Sequence, residues 1–208
     1  MQIRLALAVA AIGLAAASGV RAEPVVYRFD PPHTQILFSA DHQKFSQPVG
    51  RLKVKDGWFQ FDDKDFSTAK VDVEIDMKSA DIGDDKWSET IRGGQLLDAE
   101  KYPTARYISK SVEKKGDKAG VIHGDLTLHG TTKPVDVEFT LNRVGNDPYR
   151  FKQKAGFSAK ATIRRADFGI TRYTEVIGEN IELRFEIEGL RDGGAAKDAE
   201  QEKKPDAG

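Results

Sequence analysis

Lys133-Pro134-Val135-Asp136-Val137-Glu138-Phe139-Thr140-Leu141-Asn142-Arg143 decides the fold class. Val135, Val137, Phe139 and Leu141 share one parity, and Asp136, Glu138, Thr140 and Asn142 share the other. A period of two means a strand with one dry and one wet face. The same split recurs in Asn180–Leu190, where Ile181, Leu183, Phe185 and Ile187 oppose Glu182, Arg184, Glu186 and Glu188. It recurs again for Val71, Val73, Ile75 and Met77, and for Phe157, Ala159, Ala161 and Ile163.

Shorter strands are predicted at Val25–Phe29, Gln35–Ala40, Gly50–Val54, Gly57–Phe61, Ala105–Ser111 and Ile122–Leu128. Asp56-Gly57, Gly116-Asp117 and His129-Gly130 bound them, pairs that favour the positive φ of tight hairpins. One short helix is expected over Asp84–Gly94, where Trp87 and Ile91 lie four apart behind acidic residues, with a further turn at Leu96–Lys101 before Pro103. About eight sequential strands, each apolar on one face, give an all-β fold, a sandwich or a closed antiparallel barrel. The polar parity is too charged to line a modest lumen, so a barrel must be apolar inside, the reverse of a transmembrane barrel.

The two ends differ from this pattern. Leu5–Ala17 is an uncharged apolar run behind Arg4, too short to span a bilayer. Val20-Arg21-Ala22 follows it with the small residues of a cleavage site, so residues 1–22 read as a secretory signal that ends before Glu23. Residues 191–208 hold no aromatic or β-branched residue and are expected to form a disordered charged tail, with a short Ala/Glu/Lys helix as the alternative. The folded domain is then 23–190, and the mature protein is expected in a periplasm.

Composition excludes several functions. The 32 basic and 33 acidic residues become 30 and 33 once Arg4 and Arg21 leave with the signal, a net charge of −3 and not the basic excess that nucleic acid requires. No cysteine means no disulfide, thiolate metal site or lipid-modified N-terminal cysteine. No hydrolase elbow, phosphate-binding loop or dinucleotide fingerprint occurs. Of the four histidines, His33 and His42 flank one strand nine residues apart and would need a third ligand to hold a metal, so no metal site is assigned. Lys152 and Lys154 precede the Phe157 strand and Arg164-Arg165 follow it, cations that a phosphate head group could use. Ala155, Ala159 and Ala161 fill three of five inward positions there, leaving volume unless Trp58, Phe59 or Phe61 occupies it.

Short motifs also follow a recognisable order. They are Asp30-Pro31-Pro32-His33, Gly57-Trp58-Phe59-Gln60-Phe61-Asp62, Leu97-Asp98-Ala99-Glu100-Lys101-Tyr102-Pro103-Thr104-Ala105, Gly124-Asp125-Leu126-Thr127-Leu128-His129-Gly130 and Arg165-Ala166-Asp167-Phe168-Gly169. Over Val26–Gly189 the chain resembles the YceI-like family of bacterial periplasmic proteins. The resemblance implies an extended lipocalin-like antiparallel β-barrel with one or two short helices near its mouth. It also implies a non-enzymatic carrier for a polyisoprenoid, an isoprenoid quinone or a fatty amphiphile, with homodimers plausible. Trp87–Leu97 lacks the aromatic pair that many relatives carry before the Asp of the Tyr-Pro block. Candidate ligand-binding residues are Phe38, Phe59, Phe61, Trp87, Phe157, Ala159, Ala161 and Ile163. The alternatives are an enzyme with His33 or His42 as base on a hydrophobic substrate, and an envelope protein-interaction module.

Overall fold

The computed structural model describes residues 24–201; the expected signal, 1–22, lies outside them. Nine strands run in chain order: β1 (Val25–Phe29), β2 (Gln35–His42), β3 (Val49–Phe61), β4 (Lys70–Asp81), β5 (Thr104–Lys114), β6 (Ala119–Leu128), β7 (Thr131–Asn146), β8 (Gln153–Arg164) and β9 (Ile177–Arg191). All pairings are antiparallel, and contact between β3 and β4 closes the sheet on itself. β1 and β2 form one broken stave: both pair with β3 and with β9, β1 at one end and β2 at the other. Pro31 and Pro32 make the break, since proline donates nothing to a ladder, and the chain takes a 3-10 turn at Pro31–His33. The nine strands therefore make an eight-staved closed barrel, one of the two folds that the alternation allows and the one that the family resemblance implies.

Asp56-Gly57 is a correction. The pair does not turn the chain; β3 runs through it without interruption. Gly57 has φ +144°, and the register with β4 slips beside it between Val54 and Asp56. A Cβ on Gly57 would sit 2.5 Å from the Asp72 carbonyl oxygen, so glycine serves a bulge and a close strand approach here. His129-Gly130 does form a tight turn, with φ +51° and +74°. Helix α1 (Asp85–Arg92) starts as predicted, its Asp84 cap accepting from the Trp87 amide at 2.9 Å. Leu96–Lys101 is a series of turns.

Within the described residues the tail takes the helical alternative. Gly193–Gln201 is a helix, α2, docked on the outside of the barrel. Ala195 is fully buried against Val26 and Trp58, which face outward from β1 and β3. Asp192 accepts from Arg28 Nε at 3.2 Å and from the Gly194 amide at 2.8 Å. The tail brings no large apolar residue; the barrel wall supplies the apolar surface, and alanine lets the helix approach it closely. Trp58 is thereby spent outside and fills no lumen volume. Among the described residues no helix is long and apolar enough to cross a membrane.

Deleting residues 192–208 should expose Val26 and Trp58 and release Arg28. Thermal denaturation should show a loss on the order of 2 kcal/mol, several degrees of melting temperature. An unchanged melting temperature would show that α2 contributes nothing.

Candidate functional site

The inward parity encloses an apolar lumen of about 690 Å³, within the usual range for small-molecule sites. Its closed end is an aromatic plug. Phe157 packs edge-on to Phe59 and Phe61 with ring centroids 5.5 and 5.0 Å apart. Phe66 meets Phe61, and Tyr27 and Phe29 flank Phe59. Two rings lie close against glycine of another strand: a Cβ on Gly189, across β1, would lie 2.3 Å from the Phe59 ring, and one on Gly120 of the adjacent β6 would lie 2.7 Å from Phe139. Beyond the plug β8 continues with Ala159, Ala161 and Ile163, all on the lumen wall, so the next two inward side chains of this strand are small.

That other end is the mouth, bounded by Phe38 and His42 of β2, Trp87 of α1 and Tyr173 of the 171–176 segment. His42 and Trp87 pack with ring centroids 5.2 Å apart. Trp87 is 45% exposed, which leaves its other face to solvent. All eight candidate residues border the lumen: Phe38 and Trp87 at the mouth, Ala159, Ala161 and Ile163 along the wall, Phe59, Phe61 and Phe157 at the plug. Two of the aromatics that the sequence left as possible fillers, Phe59 and Phe61, pack at the closed end, and Ala159 and Ala161 border the lumen.

Several polar side chains interrupt this lining, among them the buried Tyr107 and Arg165. The Tyr107 hydroxyl lies 3.1 Å from the Val135 carbonyl oxygen, and burial raises its pKa. Buried Arg165 is the larger exception. Its Nε donates to Gly178 O, its Nη1 to Ile170 O and Arg172 O, and its Nη2 to Ile177 O, at 2.7–3.0 Å. Burial lowers its pKa, and Glu179 counteracts this electrostatically; the guanidinium remains charged because its ordinary value is so high. One side chain thus fastens the 170–178 segment that frames the mouth. Arg164 beside it points outward to Glu179. The sequence marked both arginines as possible head-group cations without separating the buried one from the exposed one, since nothing in an Arg-Arg pair says which side faces in.

The histidines do not converge. His33 Nδ1 is 2.9 Å from Asp30 Oδ2 and is not part of the lumen lining, while His42 stands at the mouth. Asp30, His33 and Glu188 bring possible metal-ligand atoms within 4.8 Å of one another. The Lys154 ammonium already pairs with this group, 2.7 Å from Glu188 Oε2, 2.8 Å from Asp147 and 3.9 Å from Asp30.

The profile of the YceI-like domain matches residues 27–189. The chain belongs to the YceI-like domain family. It is 36% identical to a UPF0312 protein of Pseudomonas paraeruginosa over 91% of this chain and 99% of that protein. It is also 36% identical to Protein YceI of Salmonella newport, over 84% and 90% of the two chains. The Campylobacter jejuni YCEI protein superposes with TM-score 0.65 at 26% identity, covering 73% of this chain and 90% of that one. BcnA of Burkholderia cenocepacia shares the fold with TM-score 0.68 at 20% identity, over 77% and 98%. So does a polyisoprenoid-binding domain from Saccharophagus degradans, with TM-score 0.60 at 14% identity, over 81% and 99%.

Arg165→Gln should leave up to four carbonyls at this YceI-like mouth without their donor. The expected cost is about 3 kcal/mol, with new protease cleavage confined to residues 171–176. Wild-type melting and no new cleavage would contradict the fastening role.

Proposed function

We propose that this YceI-like protein is a non-enzymatic binding protein whose lumen holds a polyisoprenoid or similar long-chain amphiphile. The observation that carries the proposal is the alanine stretch of β8 beyond the aromatic plug, which leaves a continuous apolar space reaching the mouth. A dozen buried methylenes at roughly 0.8 kcal/mol each give about 10 kcal/mol, enough to offset an association cost of about 4–15 kcal/mol at its lower end. The chain end of the guest would lie against Phe157 and its head group near His42, Trp87 and the Arg165-fastened segment. The polyisoprenoid-binding neighbour from Saccharophagus degradans supports a guest of this class.

Strict alternation in β8 supplies the test, because adjacent positions face opposite environments. Ala161→Trp should fill lumen volume and lower the affinity for a fluorescent long-chain acyl probe about tenfold or more, with the barrel still folded. Lys160→Trp on the outer face should bind as wild type. Early melting of Ala161→Trp, by about 1–3 kcal/mol, in a wild-type protein that takes up no probe would mean a packed core and no carrier.

The reading includes export to the periplasm through removal of residues 1–22. N-terminal sequencing of envelope fractions should give Glu23-Pro24; a retained Met1 would contradict it.

A further inference from the structure

The β7–β8 hairpin ends in a turn, Asp147-Pro148-Tyr149-Arg150-Phe151-Lys152, at the barrel end opposite the mouth. β8 puts roughly 40 Å of extended chain between this turn and the mouth segment. Tyr149 and Phe151 are each 89% exposed. Two neighbouring aromatic rings set almost wholly in water lose the burial that their apolar area would otherwise gain, so such a display points to a surface that covers them.

The turn is built to hold them there. Asp147 Oδ1 accepts from the Tyr149 and Arg150 amides at 2.8 and 2.9 Å. The Asp147 amide donates to Lys152 O at 2.8 Å, and the Phe151 amide donates to Asp147 O at 2.9 Å. Lys154 holds the Asp147 carboxylate at 2.8 Å and, with those amides, lowers its pKa to about 2. Phe151 has φ +53°, a left-handed conformation that a bulky side chain rarely adopts.

Arg143–Lys154 contains four basic residues and one acid; Lys154 is taken up by Asp147 and Glu188, and Arg150 lies 3.7 Å from Asp30, which leaves Arg143 and Lys152. Arg191 joins from β9: with Asn146, Phe151, Lys152 and Gln153 it lines a shallow pocket beside the turn. Arg143, Lys152 and Arg191 have no salt bridge with a described carboxylate, and the nearby Asp192 is bonded to Arg28 and to the Gly194 amide. Cations that meet phosphate, around rings that enter the layer beneath it, are the chemistry of an anchor at an anionic lipid interface.

We propose that the 147–152 turn docks the barrel on an anionic phospholipid surface. Tyr149 and Phe151 enter the interface, and Arg143, Lys152 and Arg191 meet lipid phosphates. Docking by this end leaves the mouth facing the aqueous phase. The inference does not depend on what the lumen holds.

Flotation of the purified protein with vesicles tests it. Vesicles of phosphatidylcholine with about a quarter phosphatidylglycerol should bind about tenfold or more tightly than phosphatidylcholine alone. About 1 M salt, where screening reaches a few ångströms, should abolish the difference. Tyr149→Ser with Phe151→Asn, and separately Arg143→Glu with Lys152→Glu, should each cut binding about tenfold while melting stays as wild type. Phe45→Ser, at an 87% exposed position in the turn beside the mouth, should bind vesicles as wild type. Equal binding to both vesicle types or none to either, which would leave the rings as a protein-binding face, overturns the proposal. So does loss on Phe45→Ser with both turn variants unaffected.

Discussion

Closure of the sheet by pairing β3 with β4 is the constraint from which the interior follows. Once each strand has partners on both sides, the backbone's hydrogen bonds are used around the ring, and side chains can only alternate in and out. The charged parity goes outward into ion pairs such as Lys160 with Glu138. What remains inside is apolar by elimination. The ring tolerates one broken stave because Pro31 and Pro32 fall between β1 and β2, where missing donors cost no ladder bond.

Given an apolar interior, side-chain size alone decides where it is solid and where it is hollow. Phe59, Phe61 and Phe157 make the closed end solid, and Ala159 and Ala161 leave the section beyond it open. Water gains little in such a space, because a buried water needs two to four polar partners and this wall offers few. An apolar chain needs none. Arg165 limits how far the mouth can rearrange, since one buried side chain holds four carbonyls of the frame.

Strands and sidedness were legible because a period of two is a local signal, and the four strongest alternating stretches fall on β4, β7, β8 and β9 with the predicted face inward. The plug was half legible: the sequence named Trp58, Phe59 and Phe61 as possible fillers, and alternation within 57–61 sets Trp58 apart from the two phenylalanines, but a run apolar on both parities does not say which one faces in. The docking of α2 was not legible, because its apolar surface belongs to Val26 and Trp58, far away in the chain. Arg165 was equally hidden. Its partners are backbone carbonyls, which leave no trace in residue type.

The central claim is that the hollow section holds a long-chain guest, and native mass spectrometry of protein purified without detergent addresses it most directly. The account predicts a complex heavier than the polypeptide by one amphiphile, which organic extraction removes and identifies as a long-chain lipid. The bare polypeptide mass in every preparation, with no extractable lipid, would contradict it.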